Sequence, residues 1–367
     1  MLPYVPQALP LATLDYSRII GKVGQANAAL ARYDGMLQGI VNAAVLLSPL
    51  TTSEAVLSSK IEGTQATVDE VLEYEAGIEF TGEKNADIQE VVNYRKALTL
   101  ATEALAHQPI TLSLMRQMHG VLMNSVRGSD KSPGQFRNQQ NWIGSLNCPI
   151  EQATFVPSSP LQLRDHLEAF ESYLGTNDFD ALVQTAIIHA QFELIHPFMD
   201  GNGRIGRLMI PLFLYQKKVL ASPMFYLSEY LETRRELYYA RLRGISENAD
   251  WTGWVEFFLD AIIAQAHANT DRVRKIMELY EDMKSRISHL TRSQYAIAVL
   301  DALFDRPIFQ SADFIQRTNI PKQSALPILR KLREDGILVP LREQSGRRPA
   351  VLAFAALLNR AEGRQVI

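Results

Sequence analysis

The chain has 367 residues, 47% hydrophobic and 21% charged, which are globular proportions and exclude a disordered or collagen-like polypeptide. Its 37 Lys+Arg against 40 Asp+Glu give a formal net charge of -3, so any nucleic-acid contact must come from a local patch rather than a global field. The single cysteine, Cys148, the absence of a basic apolar leader and the short apolar runs predict a soluble, cytoplasmic protein with no disulfide and no membrane partner.

At roughly 150 residues per domain, the length suggests two or three units. Pro3, Pro6 and Pro10 keep the first ten residues extended. Ile19, Val23 and Leu30, at helical spacing, belong to a predicted helix over 16–45, and Pro49 is expected to break the pattern. Thr51-Thr52-Ser53-Glu54 reads as a capping box that starts the next helix, which runs through Val56, Leu57 and Ile61 to Gly63. Helices are expected over 68–74, 87–105 and 112–123. From 128 to 160 Gly, Pro, Asn, Gln and Ser dominate, which predicts a loop and then a small β-hairpin. Helices resume over 161–174, 180–195, 203–219, 229–245 and 251 to about 279. The tail shows three short helices over 293–304, 311–317 and 324–335. Short apolar runs at 337–340 and 350–354 follow, joined by a turn at Gln344-Ser345-Gly346. Three helices and a hairpin make a winged helix-turn-helix plan. The expected fold is mainly α, divided into 1–105, 106–280 and 285–367.

The densest chemistry lies in His196-Pro197-Phe198-Met199-Asp200-Gly201-Asn202-Gly203-Arg204-Ile205-Gly206-Arg207. A helix must end near His196, because a residue before proline is pushed out of the helical region. A new helix then begins at about Gly203. Gly201 and Gly203 permit close approach of the backbone, and the free N–H groups of a helix start attract an anion. Arg204 and Arg207, three apart, project beside that anion hole. Asp200 can hold a hard cation such as Mg2+, and His196 can take a proton from an attacking hydroxyl. Together these parts describe transfer of a phosphate-containing group to an alcohol.

This run resembles the Fic family signature HPFxDGNGRxxR at every specified position. The resemblance implies an adenylyltransferase with a Fic helical core over 106–280. The α-phosphate of ATP is attacked by a Ser, Thr or Tyr hydroxyl of a target protein, or of the chain itself, and pyrophosphate leaves. It implies His196 as base and Asp200 as Mg2+ ligand. Gly201, Asn202 and Gly203 would cradle phosphate, with Ile205 and Gly206 completing the ATP-binding run. Arg204 would serve the α/β region and Arg207 the γ-phosphate. Relatives of the Doc type carry Lys where this chain has Gly203, so Gly203 favours AMP transfer.

Upstream, Ser58-Ser59-Lys60-Ile61-Glu62-Gly63 resembles the (S/T)xxxE(G/N) motif of Fic proteins with an N-terminal inhibitory helix. Ser58 and Glu62, four apart, share one helix face. The implied partner is Arg207, held away from the γ-phosphate by Glu62 in an autoinhibited state. Removal of AMP by a water that Glu62 positions is a second activity of some relatives.

The segment at about 140–157 sits where the family has its target-docking flap, whose strand edge pairs with a partner's main chain. Gly134-Gln135-Phe136-Arg137 resembles the element before that flap, with Arg137 a structural brace. Of Tyr238 and Tyr239, the resemblance points to Tyr239 against the adenosine. His189 reads as a satisfied core histidine, and Trp251, Trp254, Phe257 and Phe258 as helix core. In the winged segment Lys322, Arg330, Lys331, Arg333, Arg342, Arg347 and Arg348 outnumber Glu334, Asp335 and Glu343, a local +4. Weak DNA binding, protein contact and a homodimer all stay open for it. The alternative function is a DNA-binding transcriptional regulator whose Fic body only senses nucleotide.

Overall fold

The computed structural model describes residues 2–126, 131–145, 148–344 and 349–367. Helix α1 (Tyr16–Gln38) stops short of position 45. The chain turns through Gly39 and a left-handed Asn42 (φ 64°) into the single turn α2 (Ala43–Leu46). Helix α3 (Ser48–Ile61) begins ahead of Thr51, so the capping box expected at 51–54 is not made. Pro49 explains both points. In a first turn its missing N–H would lack a partner anyway, so it opens the helix instead of breaking it. Thr52 then turns its hydroxyl back to the Ser48 carbonyl at 3.3 Å. A capping box does form at α4 (Val68–Glu75): Thr67 Oγ1 accepts from the Glu70 N–H at 3.4 Å, and the Glu70 carboxylate accepts from the Thr67 N–H at 2.9 Å.

Helices α5 (Gly82–Leu105) and α6 (Leu112–Leu122) follow. Among the described residues, the hairpin expected within 128–160 contracts to one antiparallel bridge, Ile143 with Phe155, enclosing a short 3-10 turn at Ile150–Gln152. Pro149 and Pro157 flank the pairing and have no N–H to extend a ladder. Gly128, Leu146 and Asn147 lie outside the described residues. Next come α7 (Leu163–Gly175), α8 (Ala181–Ile195), α9 (Asn202–Gln216), α10 (Ser228–Thr233), α11 (Arg235–Asn248) and α12 (Trp251–Thr291). The helix expected over 229–245 is broken at Arg234, which leaves helical geometry with its guanidinium 4.1 Å from the Tyr230 ring centroid. The tail contains α13 (Ala296–Asp305), β1 (Ile308–Gln310), α14 (Ser311–Thr318), α15 (Lys322–Glu334), β2 (Val339–Arg342), β3 (Val351–Ala353) and α16 (Ala355–Glu362). Strand β1 and helix α16 add to the expected plan. The sheet is antiparallel in the order β1-β3-β2, with Leu352 opposite both Phe309 and Pro340. Ser345 and Gly346 of the expected turn, with Arg347 and Arg348, lie outside the described residues.

The chain packs as two units, each discontinuous in sequence, unlike the three consecutive segments expected. One comprises Met1–Gly35, Leu57–Thr64 and Val92–His267; the other Met36–Val56, Gln65–Val91 and Ala268–Ile367. In the first, α8 is buried on every side, its Leu182, Val183, Ala186, Ile187, Ala190 and Phe192 enclosed together with Gln184, Thr185, His189 and Gln191, which makes it the central helix. Trp251, Trp254, Phe257 and Phe258 are buried as expected. In the second, Phe304, Phe309, Phe314, Leu332, Leu352 and Leu357 form the core. Among the described residues no helix is long and apolar enough to cross a membrane.

Candidate active site

Pro197 ends α8 at Ile195, and His196 takes the left-handed conformation, φ 51°. A helix end leaves carbonyls without partners. Arg137 collects them. Its Nε donates to the His196 carbonyl at 2.8 Å, and its Nη2 donates to Ile195 at 3.2 Å and Ser158 at 2.5 Å. Its Nη1 donates to Gln139 at 3.2 Å. Burial pulls the Arg137 pKa down to about 10, still charged at neutral pH. Arg137→Met leaves the His196, Ser158 and Gln139 carbonyls without this donor, while Ser158 Oγ still donates to Ile195 at 3.3 Å. The substitution is expected to destabilise the fold by roughly 2–4 kcal/mol, read as a lower urea midpoint by circular dichroism. An unchanged midpoint would show that water replaces the brace.

The side chain of His196 lies with Nδ1 3.2 Å from the Glu193 carbonyl. A carbonyl only accepts, so Nδ1 carries the proton and Nε2 keeps its lone pair. Burial pulls the imidazole pKa down to about 4, so the ring is neutral near pH 7. The loop that follows is closed by Asn202. Its Oδ1 accepts from the Phe198 N–H and its Nδ2 donates to the Phe198 carbonyl, both at 2.8 Å. Asn141 Nδ2 adds a bond to that carbonyl at 2.9 Å. Gly201, at φ 75°, caps α9, and a Cβ there would meet Met123 Sδ at 3.0 Å. Asp200 stands at the mouth, its carboxylate 3.6 Å from Arg204 Nη2 and 3.7 Å from Lys131 Nζ.

Arg207 is buried and fully engaged on one side. Its Nε donates to Ser58 Oγ at 2.8 Å, and its Nη2 donates to the Ser58 carbonyl at 2.9 Å and to Glu62 Oε1 at 2.6 Å. Gly63, at φ 100°, turns the chain away just after α3. Burial works against the charge of Glu62, but the adjoining guanidinium outweighs it and holds the carboxyl below its usual range. Gly203 has a specific reason to be glycine: a Cβ would overlap Glu62 Oε1 and lie 2.9 Å from Arg207 Nη1.

These groups border a cleft of about 600 Å³. The polar lining includes Glu62, Glu193, His196, Asp200, Gly203 and Arg207, and the aromatic and apolar lining includes Trp142, Ile143, Phe155, Tyr238 and Tyr239. Tyr239 is half-buried there, and burial raises its pKa to about 12. Tyr238 is buried, with its hydroxyl 2.9 Å from His189 Nε2, so His189 is a partnered core histidine. Asn202, Arg204, Ile205 and Gly206 do not line the cleft. Asn202 is the loop staple, Arg204 lies buried beneath Asp200, Ile205 faces the core, and Gly206 packs on Glu193. Among the described residues no three metal-ligating side chains cluster. One carboxylate at the mouth is a donor set that suits Mg2+ shared with phosphate oxygens.

His119 is absent from the motifs read from sequence. It is buried, stacks on Phe198 at 3.8 Å, accepts from the Gly134 N–H at 2.8 Å and donates Nε2–H to the Asp200 carbonyl at 3.0 Å. A polar residue among the buried Met115, Met118 and Leu122 of α6 is the signal that could have found it.

Residues 20–103 match the Fic/DOC family N-terminal and residues 109–214 the Fic/DOC family, together more than half of the chain. The chain is 28% identical over 174 residues to protein adenylyltransferase fic-1 of Caenorhabditis elegans, covering 46% of this chain and 31% of that protein. It is 31% identical over 85 residues to a probable protein adenylyltransferase of Aquifex aeolicus, 23% of this chain and 27% of that one. The chain thus spans about a third of the curated relatives it matches. The fold is similar to a Fic family protein from Desulfovibrio desulfuricans, with TM-score 0.59, 22% identity and coverage of 96% and 98%. Fic-1 from C. elegans is also similar, with TM-score 0.53, 19% identity and coverage of 69% and 71%.

Proposed function

The chain belongs to the Fic/DOC family, and on that premise we propose that it transfers AMP from ATP to a Ser, Thr or Tyr hydroxyl of a target protein, and to itself. The observation that carries this reading is a neutral His196 with Nε2 unprotonated, on the same cleft as Asp200 and Arg207. Nε2 takes the proton of the attacking hydroxyl while its oxygen bonds to the α-phosphorus. The bond from that phosphorus to the bridging oxygen breaks, and the electron pair leaves with pyrophosphate. Asp200 is the residue that would hold Mg2+, which supplies charge neutralisation at the phosphates when bound. The backbone at Gly203, in the first turn of α9, borders the space for developing charge, Arg204 adds positive charge from beneath Asp200, and Arg207 takes the γ-phosphate once Glu62 releases it. The segment 140–157, with exposed Trp142 and Ile143, docks the target by main-chain pairing. Glu62 also orients water for the reverse reaction, removal of AMP. The tail 285–367 serves as a winged-helix module.

The test is transfer from ATP labelled on the α- or the γ-phosphate, with Mg2+. Protein label is expected from the α-position only. Label from the γ-position would make the chain a phosphotransferase, and no label even from Glu62→Gly would favour the nucleotide-sensing regulator. The pH profile at saturating ATP is a second readout. A base whose pKa is about 4 is lost only as pH falls through that value, so the rate should stay level from about pH 7 down to about pH 5. A break near the ordinary histidine value, about 6.5, would mean that burial does not protect the base.

A further inference from the structure

Three ionisable side chains meet at the inner end of the cleft, and the proposed reaction uses two of them. Glu62 and Arg207 are the ion pair. Glu193, one turn of α8 before His196, lines the same cleft, and its Oε1 is buried with no hydrogen-bond partner among the described residues. That oxygen packs on Gly206, next to Arg207, so tightly that a Cβ at 206 would overlap it. A buried carboxyl with an unsatisfied oxygen is a liability that an aliphatic residue of similar size would avoid. With Oε1 enclosed against Gly206, it is the rest of the carboxyl, on a side chain that lines the cleft, that a ligand can meet.

Charge balance says in which form it waits. One guanidinium cannot neutralise two close carboxylates, so the one bonded to it stays ionised and the other keeps its proton. Burial pushes the Glu193 carboxyl up to about 8, with Arg207 pulling it down and Glu62 pushing it up. The groups that face it are Glu62 just after α3, Arg207 from α9, and Tyr238 and Tyr239 from α11. Both tyrosines are raised by burial and stay neutral, and His196 on its own helix is neutral too.

We infer that Glu193 is a specificity-determining residue for the nucleoside triphosphate. As a neutral acid it donates a hydrogen bond to the terminal phosphate that takes the place of Glu62 on Arg207, and as a carboxylate it repels that phosphate. The inference rests on the reading of Arg207 as the γ-phosphate arginine. It makes ATP binding depend on one proton of the protein, whereas AMP, lacking the terminal phosphate, binds without it.

The experiment is calorimetric titration of the full chain with ATP and with AMP, in Mg2+, from about pH 5 to 9. The parent carries Glu62→Gly to open the arginine and His196→Ala to stop turnover. Its ATP Kd should rise about tenfold per pH unit above a midpoint between the ordinary glutamate value, about 4.3, and 8. Its AMP Kd should stay level. Adding Glu193→Gln, which keeps a donor and cannot ionise, should make the ATP Kd level as well. Glu193→Met should also be level but weaker for ATP at low pH. An ATP Kd that is flat in the parent, that rises in step with AMP, or that rises equally in Glu193→Gln removes the assigned role. The ATP–AMP contrast in the parent decides the matter even if a variant does not fold. Failure to bind either nucleotide at any pH overturns the nucleotide site itself and the inference with it.

Discussion

His196→Ala is expected to lower AMP transfer by about 10²- to 10⁴-fold, the usual contribution of a positioned general base. ATP affinity should hardly change. The loss should be confined to chemistry because the backbone at 196 is held from outside the imidazole. Arg137 binds the His196 carbonyl, and the Arg137 N–H donates to the Pro197 carbonyl at 2.9 Å. Among the described residues, the hydrogen bond that disappears with the ring is the one to the Glu193 carbonyl. The left-handed φ of 51° is less comfortable for alanine than for asparagine. His196→Asn is therefore the companion variant, and it should be equally inactive. Initial rates of α-label incorporation, with ATP binding by calorimetry, check both. A residual rate within tenfold of the natural chain would mean that another group takes the proton.

Glu62→Gly is expected to raise AMP transfer about 10- to 100-fold. A hydrogen bond between charged partners contributes roughly 1.5–3 kcal/mol, and an incoming γ-phosphate must displace it before reaching Arg207. The arginine should not lose its place, because both bonds to Ser58 remain. The helix should lose little either, since α3 ends at Ile61 and position 62 lies beyond it. Gain of rate is measured by the same label, and Glu62→Gly combined with His196→Ala must be silent. A rate no higher than that of the natural chain would remove Glu62 from any inhibitory role.

Mistaken element boundaries have local causes that a single sequence weighs poorly. Pro49 reads as a break in a periodicity argument, yet inside a first turn it is a good start, and the choice depends on what the preceding residues do. The segment around 150 contains strand-like runs, but its prolines withhold ladder donors, and among the described residues only Ile143 and Phe155 pair. His119 escaped because its spacing carries no motif; its role exists only where α6 meets Gly134 and Asp200.

Chain-local sterics and spacing were enough for the core of the site. Pro197 had to end a helix at His196, Gly201 had to precede a helix start, and Ser58 and Glu62 had to share a face. Their physical basis lies within a few residues, so it is written in order along the chain. Other properties needed distant segments to meet. Arg137 braces the helix end at His196, His119 holds the Asp200 carbonyl, and Glu62 fills the space that Gly203 leaves. Burial, a property of the whole packed unit, holds His196 neutral and leaves Glu193 with its proton beside Arg207. Spacing could supply the residues for the chemistry, but desolvation and long-range contact decided their protonation and partners.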